Sequence, residues 1–552
     1  MFERSSINAR ALNPYIPIWI AVIAFTFYLI SLHPSVGWGV SADVALHTLN
    51  PESTNSLYHP FRVLIGQAAG FLTSVFPVPH DALQNGVSTA AAAVAITLVY
   101  VISVRLGWNR ASAIITCLTL GLSQLFWHLA GVSGPFTIMM VLFLLIVYTT
   151  MRWTASVSEH QIWWVAGASF LTGLGIGESP FFLFVLPGFV VLLASAAHTR
   201  NRLWSPLLFL LFLIAGYGAS LTITSLMTNG LSVHDLLPLP PPVLERTVRF
   251  DEIPSNLASY GALLFYQFPL FGLLLGLFGC VVQRARGQGI WWILLFPILL
   301  TLPFYSNDFP DQQYFVASLT FVAFTLWIGS GLGWFLRYAS LRRDAMNSSY
   351  GSLLTGVIAV MCLSPLMLYG AVETVEEQPV LKYLLPERSF PRMSRESYYL
   401  VPWEVEESGA KLLHRDSRSI PDQSILVVDY GAAAAIRYYN ALEDTSGHVS
   451  FRNPNTTYYQ SNPVKTVRRW LQQRSTHAGT PNEKPARGVY SLNSHPMFRH
   501  EQLRSHFTLD QPLLTRIGTA SPRRDTRSGT VRPLERVERS PIWRIRLPAR
   551  NE

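Results

Sequence analysis

Charge is what this chain has least of. Of its 42 Lys/Arg and 33 acidic residues, only 15 Arg and 14 acids fall within the first 373 positions, and no Lys stands among them. A soluble protein of that length needs far more surface charge, so lipid is the expected solvent for the first two-thirds. The remaining 179 residues hold the other 27 basic and 19 acidic residues and read as an ordinary polar domain. A purely cytosolic enzyme, a disordered chain and a nucleic-acid-binding protein are all disfavoured. The formal +9 does not argue for nucleic acid, because +8 of it lies in the tail, scattered among acids as on a solvated surface.

Cysteine is equally scarce. Cys117, Cys280 and Cys362 lie inside apolar runs, too far apart for ligand spacing, and the tail has none. No disulfide framework or cysteine-based metal site is expected there. A phosphate-cradling glycine loop is missing too: Gly70, Gly173, Gly175 and Gly177 fall in apolar runs, where small residues let helices approach. No Gly-x-Ser-x-Gly follows a strand. Nucleotide-driven transport and serine hydrolysis are disfavoured accordingly.

What the chain does have is long apolar runs. A helix crossing a hydrocarbon core of ~30 Å needs ~20 such residues. Runs of that length begin near Ile16, Asp81, Ala111, Pro135, Gln161, Pro180, Leu203, Leu257, Gly289, Gln313 and Ser352, eleven spans in all. The first follows Arg4 and Arg10 without a small-residue cleavage site and reads as an uncleaved anchor. Pro60 to Phe76 is a twelfth candidate, which the positive-inside rule decides. If it lies along the interface, Arg105/Arg110, Arg152, Arg200/Arg202, Arg284/Arg286 and Arg337/Arg342/Arg343 share one side with the N-terminus. The other side collects Asp43, Glu52, Glu178, Asp308 and Asp311, with Arg62, Arg246 and Arg249 as its basic residues. The expected architecture is an all-α polytopic membrane domain over residues 1–373. It has about eleven transmembrane helices, an interfacial helix and a cytoplasmic N-terminus. A small C-terminal α/β extracytoplasmic domain follows over residues 374–552.

In that outer domain Ser424 to Asp429 reads as a buried strand and Gly431 to Leu442 as a helix after it. Val489 to Leu492 and Ile542 to Leu547 read as further strands. The basic stretch from Thr515 to Ser540 reads as loop-rich and poorly ordered.

Acids beside a membrane core are costly and mark function. Asp43 lies in the first outer loop, where a carboxylate can accept an acceptor's proton during glycosyl transfer from a lipid-linked donor. A solvated loop or helix-cap Asp is the alternative. Tyr58, His59 and Arg62 open the interfacial segment, and Arg62 there can meet a lipid phosphate or snorkel to headgroups. Arg246 and Arg249 follow a proline-rich outer loop. Glu178 ends its span on the outer side, and Asp308 and Asp311, before Tyr314, hold an equivalent place. Acids meeting around one vestibule suit a divalent cation or a diphosphate headgroup. His59 and His128 have no second histidine at i+3 or i+4, and no metal ligand is assigned.

The order of these segments resembles the protein O-mannosyltransferase-like multipass family of the GT-C glycosyltransferase superfamily. Trp38 to Asp43 resembles the family's Trp-Gly-Asp-Ser-Gly-Glu, and Tyr58-His59-Pro60 its His-Pro start. Ser123 to Trp127 is similar to Ser-x-x-Phe-Trp, Gly173 to Gly177 to Gly-Leu-x-x-Gly, and Asp311 to Ser318 is the most detailed match. Val40 stands where the family has an acid, Gly134-Pro135-Phe136 replaces Glu-Val-Tyr, and Gln312 replaces an Arg.

The resemblance implies an inverting membrane glycosyltransferase that takes a sugar from a polyprenyl-phosphate donor to an exported protein or glycan acceptor. Asp43 is its base, and Arg62, Arg246 and Arg249 face the leaving phosphate. Tyr58, His59, Glu178, Asp311 and Tyr314 line the vestibule. No cofactor is assigned, with a divalent cation left open. The rival reading is a non-catalytic multipass scaffold or translocation partner in envelope glycan assembly, favoured by Val40 and Gly134.

Overall fold

The computed structural model describes residues 14–33, 35–37, 40–49, 59–74, 77–155, 161–196, 204–228, 253–268, 271–302 and 310–343. Beyond these it describes isolated positions together with 425–427, 430–443, 450–452, 489–492 and short strands between 508 and 546. The chain divides into two compact units. One comprises Met1–Val36, His47–Arg388 and Met393–Val405; the other Gly37–Leu46, Ser389–Arg392 and Glu406–Glu552.

The first unit is helical throughout its described residues. Its helices are α1 (Tyr15–Ile30), α2 (Val40–Leu49), α3 (Pro60–Gly70), α4 (His80–Arg105), α5 (Arg110–Gly121), α6 (Gln124–Gly131) and α7 (Phe136–Ala155). There follow α8 (Gln161–Glu178), α9 (Leu186–Ala196), α10 (Trp204–Thr228), α11 (Ile253–Gln267), α12 (Phe271–Ala285), α13 (Ile290–Thr301) and α14 (Pro310–Arg343). α2 straddles both units and lies in the first outer loop, for which the sequence predicts the interfacial helix alone.

Among the described residues four helices are long and apolar enough to cross a membrane: α4, α7, and the central parts of α10 and α14. Counting each of two bent pairs as one span raises this to six, and three shorter apolar helices accompany them. α7 is apolar all round and largely buried, as befits a helix inside a bundle. α10 leaves Leu207, Leu210, Leu211, Ile214 and Leu226 exposed, as a lipid-facing helix does. The span expected from Ser352 lies outside the described residues.

Two expected single spans are broken. α5 and α6 bend by 66°. Ser123 leaves helical backbone there, at φ −65° and ψ 140°. Side-chain hydroxyls take over the carbonyls freed by the break: Ser123 donates to Leu120 at 2.7 Å and Tyr28 to Gly121 at 2.9 Å. α11 and α12 bend by 101°. The glycine run before Glu178 does what small residues do in membranes. A Cβ on Gly173 would stand 2.8 Å from the Tyr217 nitrogen, and one on Gly177 would meet Ser220, so α8 and α10 touch along their backbones.

The second unit contains strands and a helix, α15 (Tyr430–Leu442). Five strands form one sheet in the order β2 (Ser450–Arg452), β1 (Ile425–Val427), β3 (Val489–Leu492), β9 (Ile542–Arg546), β4 (Thr508–Pro512). β1 runs parallel to β2 and β3, while β9 is antiparallel to β3 and β4. α15 buries Ala434, Ala435, Ile436, Tyr438 and Tyr439. His414 packs against Tyr439, and Glu443 pairs with Arg418. The stretch expected to be loop-rich pairs instead as antiparallel ribbons: β5 (Thr515–Thr519) with β8 (Glu535–Arg539), and β6 (Arg523–Arg524) with β7 (Val531–Arg532). Register sets Ile517 opposite Val537 and Arg516 opposite Glu538.

Candidate active site

A glutamate at the C-terminus of a helix sits at the negative end of its own dipole. Glu178 ends α8 in this way, yet its side chain is buried, with the residue only 2% exposed. The compensation comes from another helix. Its Oε2 accepts the Phe61 N–H at 2.9 Å, and its carboxylate also accepts the Arg62 N–H at 3.3 Å, so it caps the positive end of α3. α3 needs this, since no side chain of its own caps it and Pro60 opens it without an N–H. His59 precedes it in left-handed backbone at φ 61°, uncommon outside glycine. That conformation is held from the same place: His59 Nδ1 lies 2.7 Å from the Glu178 carbonyl oxygen. A carbonyl only accepts, so the Nδ1 proton donates and the ring is neutral or fully protonated. Burial settles which, pushing His59 down to about 4, with the Glu178 carbonyl partly opposing the shift.

Arg62 lies in the first turn of α3 and is 0% exposed. Its Nε donates to the Gly134 carbonyl at 3.0 Å, Nη1 to Gln84 Oε1 at 3.2 Å and Nη2 to the Gln84 carbonyl at 3.0 Å. Burial pulls its guanidinium down to about 10, and the charge on Glu178 acts the other way. Gln84 returns along the same seam, donating to the Gly66 carbonyl at 3.0 Å. Its neighbour Asn85 donates to the carbonyls of His33 and Ser35 at 2.8 and 3.0 Å and accepts the Ser133 N–H at 2.6 Å. The first turns of α4 thus fasten both ends of the first loop and the entry to α7.

His59, Arg62 and Glu178 lie together through these contacts, all three buried. The Arg62 guanidinium donates to the carbonyls of Gly134 and Gln84 and to the Gln84 side chain. Asp43 stands in the first turn of α2 and is buried. Asp311 and Tyr314 lie in the first turns of α14, with their side chains outside the described ones. Tyr58, Arg246 and Arg249 lie outside the described residues. No three His, Cys, Asp or Glu side chains among the described residues gather closely enough to hold a metal ion. Gln84, Asn85 and Gly134 were missed as site residues. Two adjacent amides at the head of an apolar helix were the available signal, because buried polar groups there are costly.

Residues 59–202 match the family described as protein O-mannosyl-transferase TMEM260 N-terminal domain. That range opens on His59 and closes beyond Glu178, taking in every partner of the Arg62 clasp. The likeness to that family is confined to these residues. The fold also resembles solved structures, 18 chains matching in all. ArnT from Cupriavidus metallidurans, in a structure with undecaprenyl phosphate bound, is 12% identical with a TM-score of 0.51. That match covers 97% of this chain and 98% of ArnT. The Archaeoglobus fulgidus oligosaccharyltransferase is 14% identical (TM-score 0.41, 86% of this chain, 68% of that one). The arabinofuranosyltransferase AftD from Mycobacteria is also 14% identical (TM-score 0.45, 98% and 40%). Only the ArnT likeness is strong enough to carry the fold. No curated protein matches the chain in sequence.

Proposed function

We propose that this protein transfers a sugar from a polyprenyl-phosphate donor to a protein or glycan acceptor on the outer face of the cell membrane. The observation that carries the reading is the O-mannosyltransferase-family match over residues 59–202, set in a fold that shares nearly its whole length with ArnT. ArnT's bound undecaprenyl phosphate supports a lipid-phosphate donor. In the proposed step an acceptor hydroxyl oxygen bonds to the anomeric carbon while the bond from that carbon to the donor phosphate oxygen breaks. Asp43 takes the hydroxyl proton, and polyprenyl phosphate leaves with the bonding pair. Arg246 and Arg249 face that phosphate, and Tyr58, Asp311 and Tyr314 line the vestibule. Arg62 and His59 act from behind it, as its frame. In this reading the chain crosses the membrane eleven times, with the N-terminus inside and residues 374–552 outside, where they orient the acceptor.

A second reading, a non-catalytic scaffold in envelope glycan assembly, draws on Gly134. The family's acid at that position is missing, and the Gly134 carbonyl serves Arg62. Incubating the purified protein in nanodiscs with a panel of polyprenyl-phosphate sugars separates the two. Release of polyprenyl phosphate is expected; silence across the panel gives the scaffold.

A further inference from the structure

Arginines gather at one end of the first unit. α12 and α14 lie side by side and run in the same direction. A Cβ on Gly276 would meet the Phe324 ring, and one on Gly279 would stand 2.6 Å from the Trp327 carbonyl carbon and 2.8 Å from the Gly331 nitrogen. That contact brings Arg284 and Arg286, at the end of α12 and just after it, level with Arg337 on α14. The Trp108 ring covers Gly329 and Gly333 of α14, so Arg105 and Arg110, which flank the turn before α5, stand at the same end. Arg110, Arg284 and Arg337 are exposed and Arg286 is half-buried. Burial, and after it the charge on Arg337, lowers the Arg286 guanidinium from its ordinary value, so these two cations repel. The segments that build the cluster bring no acid to relieve them: neither Asp nor Glu occurs in 82–158, 253–307 or 312–343.

The surface leading to the cluster is apolar. Leu274, Leu277 and Val281 are each more than half exposed and follow one another along a single face of α12, and Arg284 is the next residue of that stripe. Arg284 lies over the Trp291 ring, 5.2 Å from its centroid, and the exposed Tyr338 stacks on Trp334. Aromatic rings of this kind mark the boundary between hydrocarbon and headgroups. A soluble anion has no use for the stripe, whereas an acyl chain does. We propose that this end of the bundle binds an anionic phospholipid, its phosphate held among Arg284, Arg286 and Arg337 and an acyl chain lying along Leu274, Leu277 and Val281. Guanidinium forks suit phosphate oxygens, and Arg105 and Arg110 add to the positive field around them. In the proposed topology this end faces the cytoplasm, opposite the donor phosphate, so the lipid is distinct from the sugar carrier. The site does not depend on the transferase reading.

The test titrates dioleoyl phosphatidylglycerol, dioleoyl phosphatidylcholine or inorganic phosphate into the full chain in detergent, reading retained lipid by native mass spectrometry and Tm by thermal unfolding. Phosphatidylglycerol should be retained and raise Tm, while phosphatidylcholine and inorganic phosphate should do neither. The triple variant Arg284→Gln, Arg286→Gln, Arg337→Gln should weaken phosphatidylglycerol retention on the order of 10²-fold. Arg152→Gln, Arg200→Gln, Arg202→Gln removes the same charge from the same expected face and should leave retention unchanged. Equal weakening in both triples reduces the effect to bulk surface charge and overturns the proposal. Equal retention of phosphatidylcholine, or a Tm rise with inorganic phosphate that matches phosphatidylglycerol's, overturns it as well. If the Gln triple does not fold, Arg284→Lys, Arg286→Lys, Arg337→Lys keeps the charge without the planar fork and should bind about tenfold more weakly. Wild-type affinity in that Lys triple would then reject the site.

Discussion

Arg62 Nε donates to the Gly134 carbonyl at 3.0 Å, joining residues 72 positions apart in a seam that no solvent reaches. The guanidinium is taken up by two peptide oxygens, of Gly134 and Gln84, and by the Gln84 side-chain amide. A buried cation held this way has no cheap substitute.

Arg62→Ala should destabilise the protein by ~3–5 kcal/mol, since it leaves the Gly134 and Gln84 acceptors unmatched and Glu178 uncompensated. Arg62→Lys should recover little of this, because one ammonium cannot reproduce three donors in a planar fork. Thermal unfolding in detergent checks both. A Lys variant as stable as wild type would mean that charge alone, and not the fork, holds α3.

His59 supplies a pH dependence whose direction follows from burial. Its pKa is held near 4, against an ordinary value of 6.5, so the unfolded chain binds the extra proton first. Its contribution to stability is complete above about pH 6.5 and is lost as pH falls toward 4. His414, also near 4, adds a second such proton in the other unit. His59→Asn keeps a residue that tolerates left-handed backbone and removes the titration. Melting temperature plotted between pH 4 and 7 should flatten in His59→Asn by about one proton's worth. An unaltered slope would place the titration elsewhere.

What the sequence disclosed and what it hid divide along one line. Apolar runs marked α4, α7 and α10 because lipid demands them, and period and composition placed β1, α15, β3 and β9 within a residue or two. Glu178 and His59 stood out because ionisable and polar residues at such depth are costly. Their partners did not, because the Phe61 N–H and the Glu178 carbonyl are backbone groups with no side-chain signature. The break between α5 and α6 was invisible for a related reason: Gly121-Leu122-Ser123 is compatible with a continuous span, and only the distant Tyr28 hydroxyl makes the freed carbonyl tolerable. Arg62 was read by its charge, whereas its burial decides its place.

The topology that underlies the transferase reading has its own test. Reporter fusions after Arg110, Arg202, Arg286 and Arg343 should report cytoplasm, and fusions after Asn55, Asn229, Asp308 and at the C-terminus should report the outside. A cytoplasmic C-terminus would put the second unit on the face opposite the proposed donor phosphate, and its role with the acceptor would be lost.

The chemistry itself turns on Asp43. Asn preserves its size and much of its hydrogen bonding at the start of α2, so Asp43→Asn should express and melt like wild type. It cannot take a proton at neutral pH, however, and general-base assistance is typically worth ~10²–10⁴-fold, or roughly 3 to 5 kcal/mol of barrier. Turnover should fall by that much with KM little changed, whereas Arg246→Ala and Arg249→Ala should act mainly on donor KM by removing phosphate partners. The contrast with the alternative role is sharp. An Asp that merely favours the first turn of α2 contributes under ~1 kcal/mol to helix stability, and replacing it would shift melting slightly and leave turnover alone. An active wild type that Asp43→Asn leaves intact would therefore return Asp43 to a structural role and move the search for the base to Asp311, the remaining outer-face acid of the site that is not committed to capping α3.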